Sequence, residues 1–227
     1  MSVKITWLGH AAFLLEGSKK VLIDPFISGN PSSPVKPSEL KADVIAVTHG
    51  HLDHVGDSVE IAKANGCPVV CIHELSRILG SEGIEAVGMN IGGTAVVRDV
   101  AFTMTPALHS ADVEIEGRIV SAGCAAGFVV ELDGVRIYHA GDTGVFYDMK
   151  LIGELYSPDV ALLPVGGWYT MGPREAAKAA ELIRPKVAIP MHYGTFPVIN
   201  ASPEEFKELA SKYCEVVILK PGESYEI

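Results

Sequence analysis

Hydrophobic and polar positions along the chain of 227 residues follow two different periods. In the N-terminal third, short runs rich in β-branched and aromatic residues are separated by turn residues, which is typical of an antiparallel meander. From residue 43 onward, an apolar strand-like run precedes a helical stretch that ends in glycine, the residue favoured just after a helix. The first pattern covers VKITWL, AFLLEG and KKVLIDPF, and the second covers DVIAVTH with DSVEIAKANG and PVVCIH with ELSRILGSEG.

The second half of the chain loosely repeats this order. The runs TAVV, VAFTMTPAL, CAAGFVVEL and VRIYHAGD come first, and then DVALLPVGG leads to PREAAKAAELIRP and VAIPMHYG leads to SPEEFKELASKY. The last helix is predicted to begin with a capping box at Ser202, with proline at its first helical position. Two similar halves, each with a meander and outward helices, predict one α/β domain over residues 1–227. Its expected architecture is a four-layer αββα sandwich, in which two mixed β-sheets carry helices on their outer faces.

Composition limits the partners that the protein can have. The chain has 18 Lys+Arg against 28 Asp+Glu and a net charge of -10, without a basic run that could neutralise a phosphate backbone. No apolar run approaches the roughly 18 residues that a membrane span needs, and the N-terminus reads as a strand pair and not as a secretory leader. We therefore expect a cytoplasmic protein that acts on a small molecule, with no nucleic-acid or membrane partner. A homo-oligomer remains open.

The cysteines lie in apolar, strand-like surroundings without the spacing of a zinc finger or a disulfide framework. They are Cys67, Cys71, Cys124 and Cys214. Buried free thiols are the favoured interpretation. A metal or redox pair of Cys67 and Cys71 is the alternative, but their spacing on a strand beside Pro68 suits neither role.

Side chains that can bind a metal come in groups, each beginning where a strand-like run ends. The first group is THGHLDH, residues 48–54, and the others follow later runs. Because the carboxyl ends of strands form the ligand crevice of open α/β sheets, we expect these loops to converge at one edge. Imidazole and carboxylate are ligands that suit zinc and its first-row neighbours. The candidates are His49, His51, Asp53, His54, His109, Asp142 and His192.

The spacing inside THGHLDH predicts a loop that serves two adjacent metal positions. A loop can turn His49 and His51 the same way while Asp53 and His54 point to a second position. Side chains at i and i+2 diverge on a helix, so a helical conformation is not expected here. The alternative is a polar turn that is histidine-rich by accident, and the further His and Asp residues at strand ends argue against it.

The pattern T-H-x-H-x-D-H with later His, Asp and His resembles the metallo-β-lactamase superfamily, over nearly the whole chain. A narrower similarity is to the compact branch of metal-dependent hydrolases related to L-ascorbate-6-phosphate lactonase and, more distantly, to N-acylphosphatidylethanolamine phospholipase D. The segments that carry it are TWLGHAAF, VLIDPF, HAGDT, GGWYTMGPREA and PMHYGTF.

The resemblance implies a dinuclear metal centre that catalyses hydrolysis. One ion would be bound by His49, His51 and His109, a second by Asp53, His54 and His192, and Asp142 would bridge both. Two ions about 3.5 to 4 Å apart can share a hydroxide, which would attack a small ester, lactone or phosphoester. Zinc suits these ligands best, and manganese, nickel or iron can occupy the same site. The expected catalytic residues are Asp53, Asp142 and His10.

Further residues are expected around the ligands. Asp24 in VLIDPF matches an aspartate of the superfamily and is predicted to hold a ligand imidazole in one tautomer. His10 in LGHAAF borders the site, and a hydrogen-bonded structural histidine is an equal alternative. His139 is predicted to pack in the core or behind the ligands, and His73 to lie at the surface or in a turn. Arg118 is a candidate anion contact, although a solvated loop charge is the favoured interpretation.

Two long segments are predicted to be loops that border the pocket as lids, namely residues 27–40, rich in proline and serine, and residues 109–123. The segment GGWYTMG could add an apolar wall through Trp168, Tyr169 and Met171, with buried packing as the alternative.

A different class of chemistry is open on the same scaffold, that of non-haem iron redox proteins of the oxygenase or oxygen-reductase type. Their flavodiiron members have glutamate where His51 stands in this chain, and nothing here suggests a flavin-binding domain, so hydrolysis is favoured. A metal-binding scaffold without catalysis is disfavoured because the set of seven ligands is complete.

Overall fold

The computed structural model describes residues 2–115 and 117–227. The strands are β1 (Lys4–Trp7), β2 (Phe13–Glu16), β3 (Lys20–Ile23), β4 (Val44–Ala46), β5 (Val69–Ile72), β6 (Ala86–Met89), β7 (Thr94–Val97), β8 (Val100–Pro106), β9 (Asp112–Ile115), β10 (Arg118–Ser121), β11 (Ala126–Leu132), β12 (Val135–His139), β13 (Val160–Pro164), β14 (Val187–Met191), β15 (Glu215–Val216) and β16 (Ser224–Glu226). The helices are α1 (Leu52–Val55), α2 (Ser58–Asn65), α3 (His73–Ser81), α4 (Met149–Tyr156), α5 (Pro173–Ile183) and α6 (Pro203–Ala210), with a 3-10 turn at Pro37–Glu39.

Two large mixed sheets organise the chain. The described residues form an N-terminal sheet of order β16-β1-β2-β3-β4-β5-β6 and a C-terminal sheet of order β15-β14-β13-β12-β11-β8-β7. In the N-terminal sheet the pairs among β16, β1, β2 and β3 are antiparallel, and those from β3 to β6 are parallel. The C-terminal sheet likewise joins antiparallel pairs among β7, β8, β11 and β12 to parallel pairs from β12 to β15. The parallel parts place several strand ends on the same edge.

The two sheets pack on each other, and helices cover their outer faces. Side chains alternate between the faces of a strand, and both faces of β13 are buried. Val160 and Leu162 join the apolar cluster that the two sheets share, whereas Ala161 and Leu163 pack with residues of α4, α5 and α6. Helix α3 lies on β5 and β6 of the other sheet. The prediction of a four-layer α/β sandwich is therefore confirmed.

The structure contains local elements that the sequence pattern did not predict. Segment 109–123, expected to be a loop, contains the hairpin of β9 and β10, in which Asp112 pairs with Ser121; Glu116 lies outside the described residues. Helix α4 follows the Asp142 motif, where no helix was predicted. Its apolar residues Met149 and Ile152 pack in the core, so tertiary burial stabilises a stretch with a weak sequence signal.

Two predictions about single residues need correction. Ser202 caps α6 as expected, because its Oγ accepts a hydrogen bond from Glu205 N. The capping box is incomplete, because the Glu205 side chain does not bond back to the Ser202 backbone N–H. The Ser202 hydroxyl donates to Glu204. The prediction that the cysteines are buried was wrong for Cys124, which is exposed. Cys124 lies just before β11 and is not part of that strand. All cysteines are free thiols; Cys67 and Cys71 are buried, and Cys214 is half-buried.

Candidate metal centre

The predicted ligands meet at the edge of the sandwich where strands end. His49 follows β4, His109 follows β8, Asp142 follows β12 and His192 follows β14, while Asp53 lies on α1. The expected convergence of separate loops is therefore found in the structure. The metal-loop prediction was partly wrong, because the second half of THGHLDH is not a loop. His51 is the N-cap of the one-turn helix α1, and this turn carries Asp53 and His54.

A first group of candidate ligand atoms consists of three imidazoles. The nitrogens of His49, His51 and His109 lie within 4.8 Å of one another. His49 Nε2 is 3.0 Å from His51 Nδ1. Three nitrogens converging in this way are the donor set of a zinc-type site with a coordination position left for water or substrate.

A second group lies beside the first and includes a carboxylate. Ligand atoms of His10, Asp53, His54 and His192 lie within 4.8 Å of one another. Asp53, His54 and His192 were predicted to bind the second ion, and the structure also places His10 in this group. The rings of His10 and His192 are close, with centroids 4.0 Å apart.

Asp142 lies between the two groups. Its Oδ2 is 3.3 Å from His54 Nε2, 3.6 Å from His109 Nε2 and 2.9 Å from His192 Nε2. It also forms a third candidate cluster with His49 and His54. One carboxylate oxygen thus faces nitrogens from both groups, which is the position that a bridging ligand needs.

Several buried atoms of this cluster have no hydrogen-bond partner within the described residues. They are His54 Nε2, Asp142 Oδ1, His192 Nδ1 and His192 Nε2. Buried polar atoms normally have a partner, because an unpaired one costs about 1–3 kcal/mol. His192 Nε2 and Asp142 Oδ2 are close without hydrogen-bond geometry. A cation bound beside Asp142 would satisfy His54 Nε2 and His192 Nε2, so the residues present fit a metal site.

The charges of the cluster also suit a cation. Burial raises the pKa of the Asp142 carboxyl, but the facing His192 and His54 outweigh burial and hold this pKa well below its ordinary value. Burial lowers the pKa of His54, but Asp142 and Asp24 outweigh it and raise this pKa well above its ordinary value. Burial lowers the pKa of His49 and of His109. Without metal, a proton on His54 therefore neutralises Asp142, and a metal ion would displace that proton.

Asp24 holds the outer side of the cluster. Its Oδ2 accepts a hydrogen bond from His54 Nδ1 at 2.7 Å and one from Thr48 Oγ1 at 2.7 Å. Its Oδ1 accepts from the Thr48 backbone N–H at 2.8 Å. All three residues are buried. Because His54 Nδ1 donates outward, Nε2 points inward, which is the orientation a metal ligand needs.

His10 has both ring nitrogens engaged. Nε2 lies 3.1 Å from Asp53 Oδ2, and Nδ1 lies 2.9 Å from Thr195 Oγ1. Burial lowers the pKa of His10 to about 4, so the ring is neutral at pH 7. Burial raises the pKa of Asp53, but the hydrogen bond to His10 outweighs it and keeps this pKa below its ordinary value. An ionised carboxylate only accepts, so His10 Nε2–H donates to Asp53, and Nδ1 accepts from Thr195.

Four residues at this edge of the fold have a left-handed backbone conformation. Positive φ angles occur at His10 (54°), Asp24 (45°), Trp168 (61°) and His192 (56°). For a residue other than glycine, such a conformation costs on the order of 1 kcal/mol or more and persists only where the surroundings impose it. His10, Asp24 and His192 belong to the cluster or to its support, so their backbone conformation contributes to the direction of these side chains. Five other residues with positive φ that are not glycine lie elsewhere among the described residues.

The hairpin of β9 and β10 packs against the metal loop at its base. A Cβ at Gly50 would lie 2.8 Å from Asp112 O and 2.8 Å from Ala122 Cβ, so only glycine fits at this position. On the hairpin side, Ser110 Oγ is 3.3 Å from His51 Nε2. Contact with the hairpin therefore turns His51 Nδ1 toward His49.

A cavity of about 480 Å³ opens onto the cluster. Its lining residues are His51, Asp53, His109, Ser110, Asp142, Tyr169, His192, Phe196 and Val198. No residue of 27–40 is among them, so the lid prediction for that segment was wrong. The prolines and serines there form turns. Asp57 holds the start of the segment in place, because it accepts hydrogen bonds from Ile27 N and Ser28 N.

Only one of the three residues of GGWYTMG that were predicted to form an apolar wall lines the cavity. Tyr169 lines the cavity, Trp168 is exposed beside it, and Met171 is buried in the core. Sequence reasoning missed Phe196 and Val198, which complete the wall, and also Thr195, which supports His10. All three lie in HYGTFPV, directly after the ligand His192, and this proximity was the available signal.

The positions of His139, His73 and Arg118 in the structure agree with the interpretations that the sequence favoured. His139 is buried; its Nε2 donates to Ala11 O at 2.9 Å and its Nδ1 accepts from Gly141 N, which confirms a core role. His73 is exposed at the start of α3, as predicted for a surface histidine. Arg118 is exposed on β10 and does not line the cavity, in agreement with the favoured interpretation as a solvated charge.

The fold and this cluster define the class of protein. Residues 19–193 match the family described as the beta-lactamase superfamily domain. The chain therefore belongs to the metallo-β-lactamase superfamily, within which it is a metal-dependent hydrolase. A UPF0173 metal-dependent hydrolase from Archaeoglobus fulgidus is 65% identical over 228 residues, covering 99% of this chain and 99% of that protein. Another, from Methanosarcina mazei, is 55% identical over 227 residues, with the same coverage of both chains.

A solved structure is similar over the whole chain. Igni18, described as a novel metallo hydrolase from Ignicoccus hospitalis, has a TM-score of 0.91 and 40% sequence identity. The similarity covers 100% of this chain and 99% of that one. In the part of the chain that the structure describes, none of the helices combines the length and apolarity needed to span a membrane.

Proposed function

We propose that this metal-dependent hydrolase works with a dinuclear centre and cleaves a small ester, lactone or phosphoester. The observation that carries the proposal is the position of Asp142, whose Oδ2 faces His109 from one group and His54 and His192 from the other. A single ion would need only one of the two groups. A carboxylate directed at both groups suits a pair of ions that share it.

Each proposed site takes its ligands from one group. The first would be held by His49 Nε2, His51 Nδ1 and His109, and the second by Asp53, His54 Nε2 and His192, with Asp142 shared. His10 is assigned to Asp53 and not to an ion, because both of its nitrogens already have partners. Imidazole with carboxylate favours zinc, and manganese, nickel or iron suits the same donors.

When bound, two divalent ions supply a water of lowered pKa as nucleophile at neutral pH and stabilise negative charge on the reacting oxygen. The residues of the chain have three tasks around that chemistry. Asp24 fixes the tautomer of His54, and His10 fixes the rotamer of Asp53. The wall formed by Tyr169, Phe196 and Val198 excludes water from one side of the substrate.

A redox function on the same scaffold would also use imidazole and carboxylate ligands. The difference lies at His51, where the flavodiiron proteins have glutamate. A neutral imidazole adds no negative charge to the first group, and so lends less stabilisation to oxidised iron than a carboxylate would. Hydrolysis is therefore the function that we assign.

The test is to measure metal content and turnover on the same preparation. We expect about two zinc ions per chain after reconstitution, and hydrolysis of at least one member of a panel of lactones, carboxylic esters and phosphodiesters. Removal of metal by a chelator should abolish turnover, and added zinc should restore it. Oxygen consumption by the iron-loaded protein, with no hydrolysis of any panel member in either metal form, would contradict the assignment.

A further inference from the structure

The cavity has no lysine or arginine among the described residues that line it. Apart from Tyr169, the ionisable residues of the lining are proposed metal ligands, namely His51, Asp53, His109, Asp142 and His192. The proposed metal ions would supply positive charge where the reacting end of the substrate binds. A phosphate or carboxylate on the remote part would find no lysine or arginine in the lining, so its loss of water would not be compensated there.

Three residues of the lining offer apolar surface. Tyr169, Phe196 and Val198 line the cavity together, and Phe196 contacts Phe26 with ring centroids 6.4 Å apart. Ligand sites of this kind bind mainly through apolar contact, and their few polar groups orient the reacting end. Here the polar residues of the lining are the proposed metal ligands and Ser110, so the reacting end of a substrate would face them and its other end would face the apolar residues.

Further exposed apolar residues lie next in sequence to the residues that line the cavity. Leu52, Leu108 and Trp168 are 79%, 58% and 78% exposed, and each directly adjoins a lining residue in the chain. Single exposed apolar side chains are ordinary on a protein surface. Three of them on the chain segments that form this cavity favour an apolar ligand there.

We infer that the substrate is an uncharged ester or lactone with an apolar tail, which packs on Tyr169, Phe196 and Val198. The inference rests on the proposed hydrolase function and narrows it. In the reaction one water is consumed: its oxygen bonds to the carbonyl carbon, and the acyl C–O bond breaks. The departing oxygen takes up a proton, so that a lactone yields a hydroxy acid.

A series of γ-lactones whose alkyl tails lengthen from methyl to hexyl tests the apolar end. With zinc-loaded protein, kcat/KM should rise by up to about fourfold per added methylene until the cavity is filled, which corresponds to ~0.8 kcal/mol per methylene. A lactone with a six-carbon tail that ends in phosphate should be turned over roughly tenfold or more slowly than its alkyl counterpart.

A matched pair of variants tests the position of the tail. Val198→Arg places a cation in the cavity wall and should raise kcat/KM for the phosphate-tailed lactone while lowering it for the hexyl lactone. Val96→Arg is the control, because Val96 is an exposed valine on β7 outside the cavity and should change neither value. Zinc content should be the same in both variants.

The outcomes separate this inference from the function on which it rests. Turnover that is independent of tail length, or faster for the phosphate-tailed lactone with the unmodified protein, overturns the apolar-tail inference and leaves the hydrolase assignment intact. Absence of turnover for every lactone, ester and phosphodiester, with both zinc ions bound, contradicts the proposed function itself, and the inference falls with it.

Discussion

Replacing Asp142 with asparagine is expected to lower kcat/KM by more than 100-fold and to reduce bound zinc below two ions per chain. Asparagine keeps the shape of the side chain but removes the charge that faces His54, His109 and His192. Mutation of outer-shell partners of metal ligands already costs about 10–100-fold in affinity or activity, so loss of a shared ligand should cost more. Metal analysis and steady-state kinetics on one preparation measure both effects.

The matched control for this variant is Asp148→Asn. Asp148 is an exposed aspartate at the start of α4, six positions along the chain, and it does not line the cavity. It should retain two zinc ions and unchanged turnover. Full activity of Asp142→Asn with two ions bound would show that this carboxylate is not a shared ligand.

Two substitutions at Asp24 should distinguish its contribution to zinc affinity from its contribution to the stability of the fold. In Asp24→Asn, the amide NH₂ can replace the oxygen that accepts from His54 Nδ1, which would turn His54 into the tautomer with a proton on Nε2. That nitrogen can then no longer bind metal. We expect zinc affinity to fall by about 10–100-fold, with the fold retained because asparagine tolerates the positive φ at this position.

Asp24→Ala should have the larger effect on stability. It leaves the Thr48 N–H and hydroxyl and the His54 Nδ1–H buried without their acceptor, and it places alanine at a positive φ. Breaking a buried charged pair costs about 3–5 kcal/mol. For a chain of this size the melting temperature should fall by roughly 10 °C, at about 2–4 °C per kcal/mol. Thermal unfolding of the metal-free protein measures this effect.

Asp57→Asn is the control for both Asp24 variants. Asp57 also accepts hydrogen bonds from two backbone N–H groups, those of Ile27 and Ser28, and neither partner is an imidazole. We expect it to keep zinc affinity and to lose only part of the stability. Equal zinc affinity in Asp24→Asn and Asp57→Asn would contradict the role given to Asp24.

The layered architecture and the positions of the strand ends could be predicted from the sequence, because both depend on local patterns of apolar and polar residues. The run DVALLPVGG was predicted to be a strand that leads to a helix, and β13 forms there with both faces buried. Asp142 and His192 follow strand-like runs, and for that reason their convergence with His49 could be predicted from the expected position of strand ends. The narrower similarity to lactonases of the branch remains a prediction.

Contacts between distant residues could not be predicted in the same way. The hydrogen bond from Thr195 to His10 joins positions 185 residues apart, and no local pattern indicates it. The hairpin of β9 and β10 pairs with neither large sheet, so its strands lack the buried, alternating pattern that identifies a strand. The one-turn helix α1 is too short for helical periodicity, which explains why Asp53 and His54 were expected on a loop.

Anomalous diffraction at the zinc edge, from crystals of the zinc-loaded protein, would show the number and positions of the ions. We expect two peaks, one beside His49, His51 and His109 and the other beside Asp53, His54 and His192, with Asp142 in contact with both. One fully occupied peak alone, or a second peak away from Asp142, would contradict a dinuclear centre.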